Sequence, residues 1–211
     1  MLFRSIIFGW LLFIIQLTWN HSETFYLYIK KIWFLIKNPD CIWDMVVEYN
    51  LEIDEKIFEK IDNKFNEHFS EIKIIPLSNV RRIYKLDTIG IEVSIDEINN
   101  QLRLHIDKLE ISFRRSRKII DNELGVLFES LSQELKVDQS EFYFKVIFKE
   151  FNPYYGFFMR RLNSKDINTF NVKLNVENEK VTIGKKTIEI YSTSLQKLNV
   201  LSKQYLTLSP R

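Results

Sequence analysis

From Ser5 to Trp19 the chain reads SIIFGWLLFIIQLTW, an uncharged and almost wholly apolar run, with further apolar residues beyond Arg4. A bilayer core about 30 Å thick takes roughly 17 to 25 helical residues. With Arg4 snorkelling toward the interface, Leu2 to Trp19 is read as the spanning stretch, and 1–20 as a transmembrane anchor. Two other readings compete. A secretory signal peptide wants a small-x-small cleavage site, but Thr18-Trp19-Asn20-His21 follows and the chain contains no alanine. A buried core helix wants a polar face, for which only Arg4, Ser5, Gln16 and Thr18 are on offer.

Next, Phe25, Ile29, Ile32 and Ile36 recur at helical spacing. Trp19, Lys30, Lys31, Trp33 and Lys37 supply rings and charges suited to a membrane interface, so 21–50 is expected to be an interfacial helix and linker. An ordinary amphipathic helix packed on the following domain fits the same spacing. Asn38-Pro39 ends either one, because proline pushes its predecessor out of the helical region. The three lysines after the span predict a cytoplasmic C-terminal domain.

Residues 51–211 alternate between helical and strand periods. Ile57, Ile61, Phe65 and Phe69 lie four apart, predicting a helix over 54–69 with Asp54 near its N-cap. Period-two runs follow at 80–86, 89–95, 102–106 and 109–113, and in LRLHIDKLEISF the apolar period slips between Ile106 and Leu109. That slip predicts a bulge or tight turn at Asp107-Lys108. Leucines and isoleucines at three and four predict a helix over 117–136, with Ser116 as its cap. Strands resume at 141–151, 157–162 and 169–176, a hairpin turns at Gly184-Lys185-Lys186, and a helix closes the chain over 192–206. The expected fold is therefore α+β: an N-terminal transmembrane helix, then an antiparallel-sheet domain with two or three packed amphipathic helices. The order of helices and meanders invites a duplicated unit, though no residue-level repeat accompanies it.

Composition adds limits. The 211 residues carry 30 Lys+Arg against 28 Asp+Glu, a formal net charge of +2, so any anion site must be local. One cysteine, Cys41, excludes an intramolecular disulfide. The three histidines, His21, His68 and His105, show no metal-ligand spacing, and no cofactor or metal is expected. There is no Gly-x-Ser-x-Gly elbow, and Gly184-Lys185-Lys186-Thr187 lacks the first glycine of a phosphate loop.

Paired basic residues remain: Arg81-Arg82, Arg114-Arg115 with Arg117-Lys118, Arg160-Arg161 and Lys185-Lys186. One member of each strand pair can face a common surface, and Arg114 to Lys118 lies where a strand meets a helix start, a place that favours anions. An anionic ligand or nucleic acid is the expected occupant; solvated pairs answering nearby acids are the plainer reading. Tyr154, Tyr155, Phe157 and Phe158 interleave aromatics with basic residues and are candidate interface positions. These readings rank a membrane-anchored, non-enzymatic binding protein first, with membrane lipid and a protein partner as its contacts. A nucleotide or nucleic-acid sensor and an enzyme with dispersed active-site residues follow.

Overall fold

The computed structural model describes residues 2–86, 88–116, 118–150, 152, 154–155, 169–176 and 178–206. Two helices, α1 (Leu2–His21) and α2 (Glu23–Lys37), lead into strand β1 (Asp40–Asn50). Helix α3 (Ile57–His68) precedes the strands β2 (Ile72–Ser78), β3 (Arg81–Leu86), β4 (Ile89–Asp96) and β5 (Gln101–Ser112). A short α4 (Phe113–Ser116), a π-helical turn (Ile120–Leu124) and α5 (Gly125–Glu134) come next. Then follow β6 (Gln139–Phe148), β7 (Asn171–Val176), β8 (Glu179–Gly184), β9 (Thr187–Ser192) and α6 (Leu195–Leu206).

All nine strands form one antiparallel sheet in the order β2-β3-β4-β5-β1-β6-β9-β8-β7. Read outward from the centre, each half repeats one plan. The first strand (β1 or β6) pairs with the last strand of its own meander (β5 or β9), and a helix follows. The β1–β6 pairing is the seam between the halves. Residues 40–50, expected to be the end of a linker, are thus the central strand. The reason is alternation: Cys41, Trp43, Met45, Val47 and Tyr49 are all buried. Pro76, which cannot donate to a ladder, lies on the edge strand β2.

One sheet face is covered. Buried residues of α3 (Ile57, Phe58, Ile61, Phe65), α5 (Leu127, Phe128, Leu131) and α6 (Leu198, Leu201) share one core with the inward strand positions. Polar clamps fix the layers: Tyr84 donates to Asp62 at 2.6 Å and Arg82 at 2.7 Å, holding α3 on β3, while Tyr49 donates to the Phe128 carbonyl of α5 at 3.1 Å. Ser116 does not cap the following helix; its hydroxyl donates to the Phe113 carbonyl. The helix instead passes through the π turn, where the Gly125 N–H reaches the Ile120 carbonyl. A Cβ at 125 would collide with that oxygen, which is why glycine stands there.

Helix α2 sits over one end of the sheet. Ser22 caps it by accepting from the Phe25 N–H at 3.2 Å, and Asn38 ends it in the left-handed conformation. Its buried residues are Tyr26, Leu27 and Phe34; the predicted stripe of Ile29, Ile32 and Ile36 faces outward. Trp19 packs against Tyr26, and Lys30 lies over the rings of Tyr26 and Trp33. The expectation of a single-pass membrane anchor is overturned: among the described residues no helix is long and apolar enough to cross a membrane. The unbroken apolar stretch of α1 runs only from Ile6 to Ile15. At 1.5 Å per residue it covers about 15 Å, half of the roughly 30 Å required. With the anchor goes the single-pass membrane location; the interfacial candidates Trp19, Lys30, Lys31, Trp33 and Lys37 lie at the end of α1 and along α2. What the sheet and α1 leave behind is a large apolar surface, with Phe8, Trp10, Leu12 and Phe13 each more than half exposed.

Candidate functional site

Among the described residues the paired basic residues do not converge. Arg81 lies on the uncovered sheet face and binds Glu92 at 2.6 Å, whereas Arg82 turns to the helical side, onto Asp62 and over the Phe58 ring. Arg114 donates to the Leu35 carbonyl of α2, at 2.6 and 2.9 Å. Arg115 binds Glu123 at 2.8 Å and Thr88 at 2.7 Å. Lys118 is exposed, and Arg117, Arg160 and Arg161 lie outside the described residues. Arg81, Arg82, Arg114 and Arg115 are each engaged by an acceptor of their own chain. Tyr154 and Tyr155 are buried, against Tyr205 and Phe170 respectively, while Phe157 and Phe158 lie outside the described residues.

The uncovered sheet face carries a different constellation at the seam. In the β1–β6 register, Ile42, Asp44, Val46 and Glu48 stand opposite Ile147, Lys145, Tyr143 and Glu141. Because side chains alternate along a strand, all eight share the face turned away from the helices. A shallow cleft of about 170 Å³ opens here, lined by Val46, Glu48, Arg103, Glu141, Tyr143 and Tyr191. Tyr191 comes from β9, two strands away from β1.

Glu48 accepts from Gln101 at 3.5 Å and pairs with Arg103 at 3.6 Å. Directly across from it, Glu141 has no ion pair among the described residues, and Tyr191 lines the same cleft. The neighbouring Glu141 carboxylate, with burial second, pushes the Tyr191 phenol up to about 12, so it stays neutral. Burial and the Glu189 charge also raise Tyr143. Lys145, opposite Asp44, is drawn to Glu189 at 3.2 Å, and Lys180 lies over the outer face of the Tyr191 ring at 5.7 Å. Like charges directly opposite on a sheet repel. Two carboxylates walled by two phenol rings make a place suited to a cation.

Sequence reasoning passed over Glu48, Glu141, Tyr143 and Tyr191. The signal was the alternation of SEFYFKVIF, whose polar positions mark an uncovered face, but the pairing partner of that face is set by long-range register. A second cavity, of about 330 Å³, lies under α2 between Phe34, Phe113, Phe148 and Cys41, with Lys37 and Lys149 at its mouth.

No known protein family matches the sequence, and no curated protein matches it. Among solved structures, an aspartate kinase of Clostridium acetobutylicum, described as an allosteric enzyme, aligns at 8% identity with a TM-score of 0.27. The alignment covers 80% of this chain and 33% of that one, so this chain spans about a third of the length of that enzyme. A structure of aspartokinase alpha and beta subunits aligns at 10% identity with a TM-score of 0.23, covering 79% of this chain and 93% of the other. At these TM-scores neither likeness bears on fold or function.

Proposed function

We propose that this chain is a non-catalytic binding protein that recognises a protein partner through the uncovered face of its sheet, at the seam between the two halves. The observation that carries the reading is the placement of Glu48 opposite Glu141 in a cleft walled by Tyr143 and Tyr191. A lysine or arginine side chain of the partner enters between the carboxylates, relieves their repulsion and stacks on the phenol rings. The exposed apolar surface of α1 supports a macromolecular partner, since patches of this kind mark protein contacts.

A titration of the full chain with fluorescent oligolysine and oligoglutamate peptides tests this. Saturable binding of the oligolysine, weakened by salt through screening of exposed charges, is the expected result. Equal binding of both peptides, or binding of the acidic one alone, contradicts it.

A further inference from the structure

A second cluster lies on the same face, one step along β1 and outside the seam cleft. The β1–β5 register shifts between Trp43, which pairs with Leu109, and Met45, which pairs with Ile106. Asp44 therefore faces the two residues Asp107 and Lys108, a β-bulge, and Lys108 adopts a left-handed φ of 47°. The bulge gathers Asp44, His105 and Asp107 so that one nitrogen and two carboxylate oxygens lie within 4.8 Å of one another. His105 Nε2 is 3.2 Å from Asp44 Oδ1, both side chains are about one-third exposed, and Asp107 is more exposed still.

We propose that Asp44, His105 and Asp107 bind a divalent first-row transition-metal ion such as Zn²⁺ or Co²⁺. An imidazole with two carboxylates suits these ions, whereas Mg²⁺ and Ca²⁺ favour all-oxygen shells. Donors around such an ion at about 2.0 to 2.2 Å sit roughly 3 to 3.5 Å apart, so the exposed Asp107 closes the remaining gap by a rotamer change. Solvent or a ligand from a partner completes the coordination.

The surrounding charges favour this. Glu92, opposite His105 on β4, adds negative potential tempered by its Arg81 partner, and Lys145, opposite Asp44, is drawn off to Glu189. Lys108 Nζ stands 3.8 Å from Asp107, loosely enough to be displaced.

Calorimetric titration of the full chain with Zn²⁺ alone, and visible absorption on titration with Co²⁺ alone, read the site directly. One ion per chain is expected, with release of protons and a rise in melting temperature. His105→Ala and the exposed Asp107→Asn should each weaken binding about 100-fold, since outer partners of a metal ligand alone are worth 10 to 100-fold. Glu141→Gln should leave metal binding unchanged, separating this site from the cation cleft. Absence of saturable binding, or binding of undiminished affinity in a folded Asp107→Asn variant, overturns the proposal.

Discussion

Glu48 and Glu141 face each other across the central β1–β6 pairing, and among the described residues only Glu48 has an ion pair, with Arg103 at 3.6 Å. Repulsion between directly opposed like charges costs about 0.2 to 1 kcal/mol. Glu141→Gln removes that repulsion, so it should stabilise the chain by an amount in this range. Glu48→Gln also loses the Arg103 pair, and should gain less. Urea denaturation of the two variants checks the order; a Glu141→Gln chain less stable than the parent would show that the carboxylates do not interact.

Asp62 is the peg between helix and sheet, accepting from Tyr84 at 2.6 Å and from Arg82 at 2.7 Å. Asp62→Ala leaves a fully buried tyrosine hydroxyl and a partly buried guanidinium without their acceptor. A loss of about 2 kcal/mol is expected, the usual cost of stranding such donors. Tyr84→Phe removes donor and demand together and should cost less. Denaturation midpoints of the two variants decide between them, and equal losses would mean that the Tyr84 hydroxyl alone carries the clamp.

Burial pushes the Cys41 thiol up to about 11 from an ordinary value of 9.0, with Asp40 adding to the rise and Ser116 opposing it. The folded state holds this proton more tightly than the unfolded one. Its contribution to stability is therefore complete below pH 9 and declines as the pH rises toward 11. Cys41→Ala should flatten that alkaline decline relative to the parent. At pH 8 the thiol should also resist alkylation until denaturant is added, and rapid labelling of the native chain would contradict its burial.

Much of the fold was legible because local pattern and tertiary environment agree. The slip in LRLHIDKLEISF marks the bulge at Asp107-Lys108, where Lys108 takes its left-handed φ. The stripe of Ile57, Ile61 and Phe65 became α3, and Gly184-Lys185-Lys186 became the β8–β9 turn. Strand β1 escaped notice because Ile42 and Val46 fill uncovered positions with apolar residues, blurring DCIWDMVV into a continuous run. Helix α1 occupies Leu2–His21, close to the expected 1–20, but it is not apolar enough to cross a membrane, since Gln16 and Thr18 interrupt the apolar run after Ile15. Both site constellations were hidden for one reason: Asp44 meets His105, and Glu48 meets Glu141, only through strand pairings between residues 61 and 93 positions apart. Residue spacing carries no trace of such meetings.

The central claim is a cation-binding cleft at the seam, and the most direct measurement compares oligolysine binding by the parent with that of a Glu48→Gln/Glu141→Gln double variant, by fluorescence anisotropy at low salt. The double variant should fold and melt near the parent's temperature yet lose most of its affinity for the peptide. Undiminished binding by the folded double variant would contradict the account and place recognition elsewhere on the molecule.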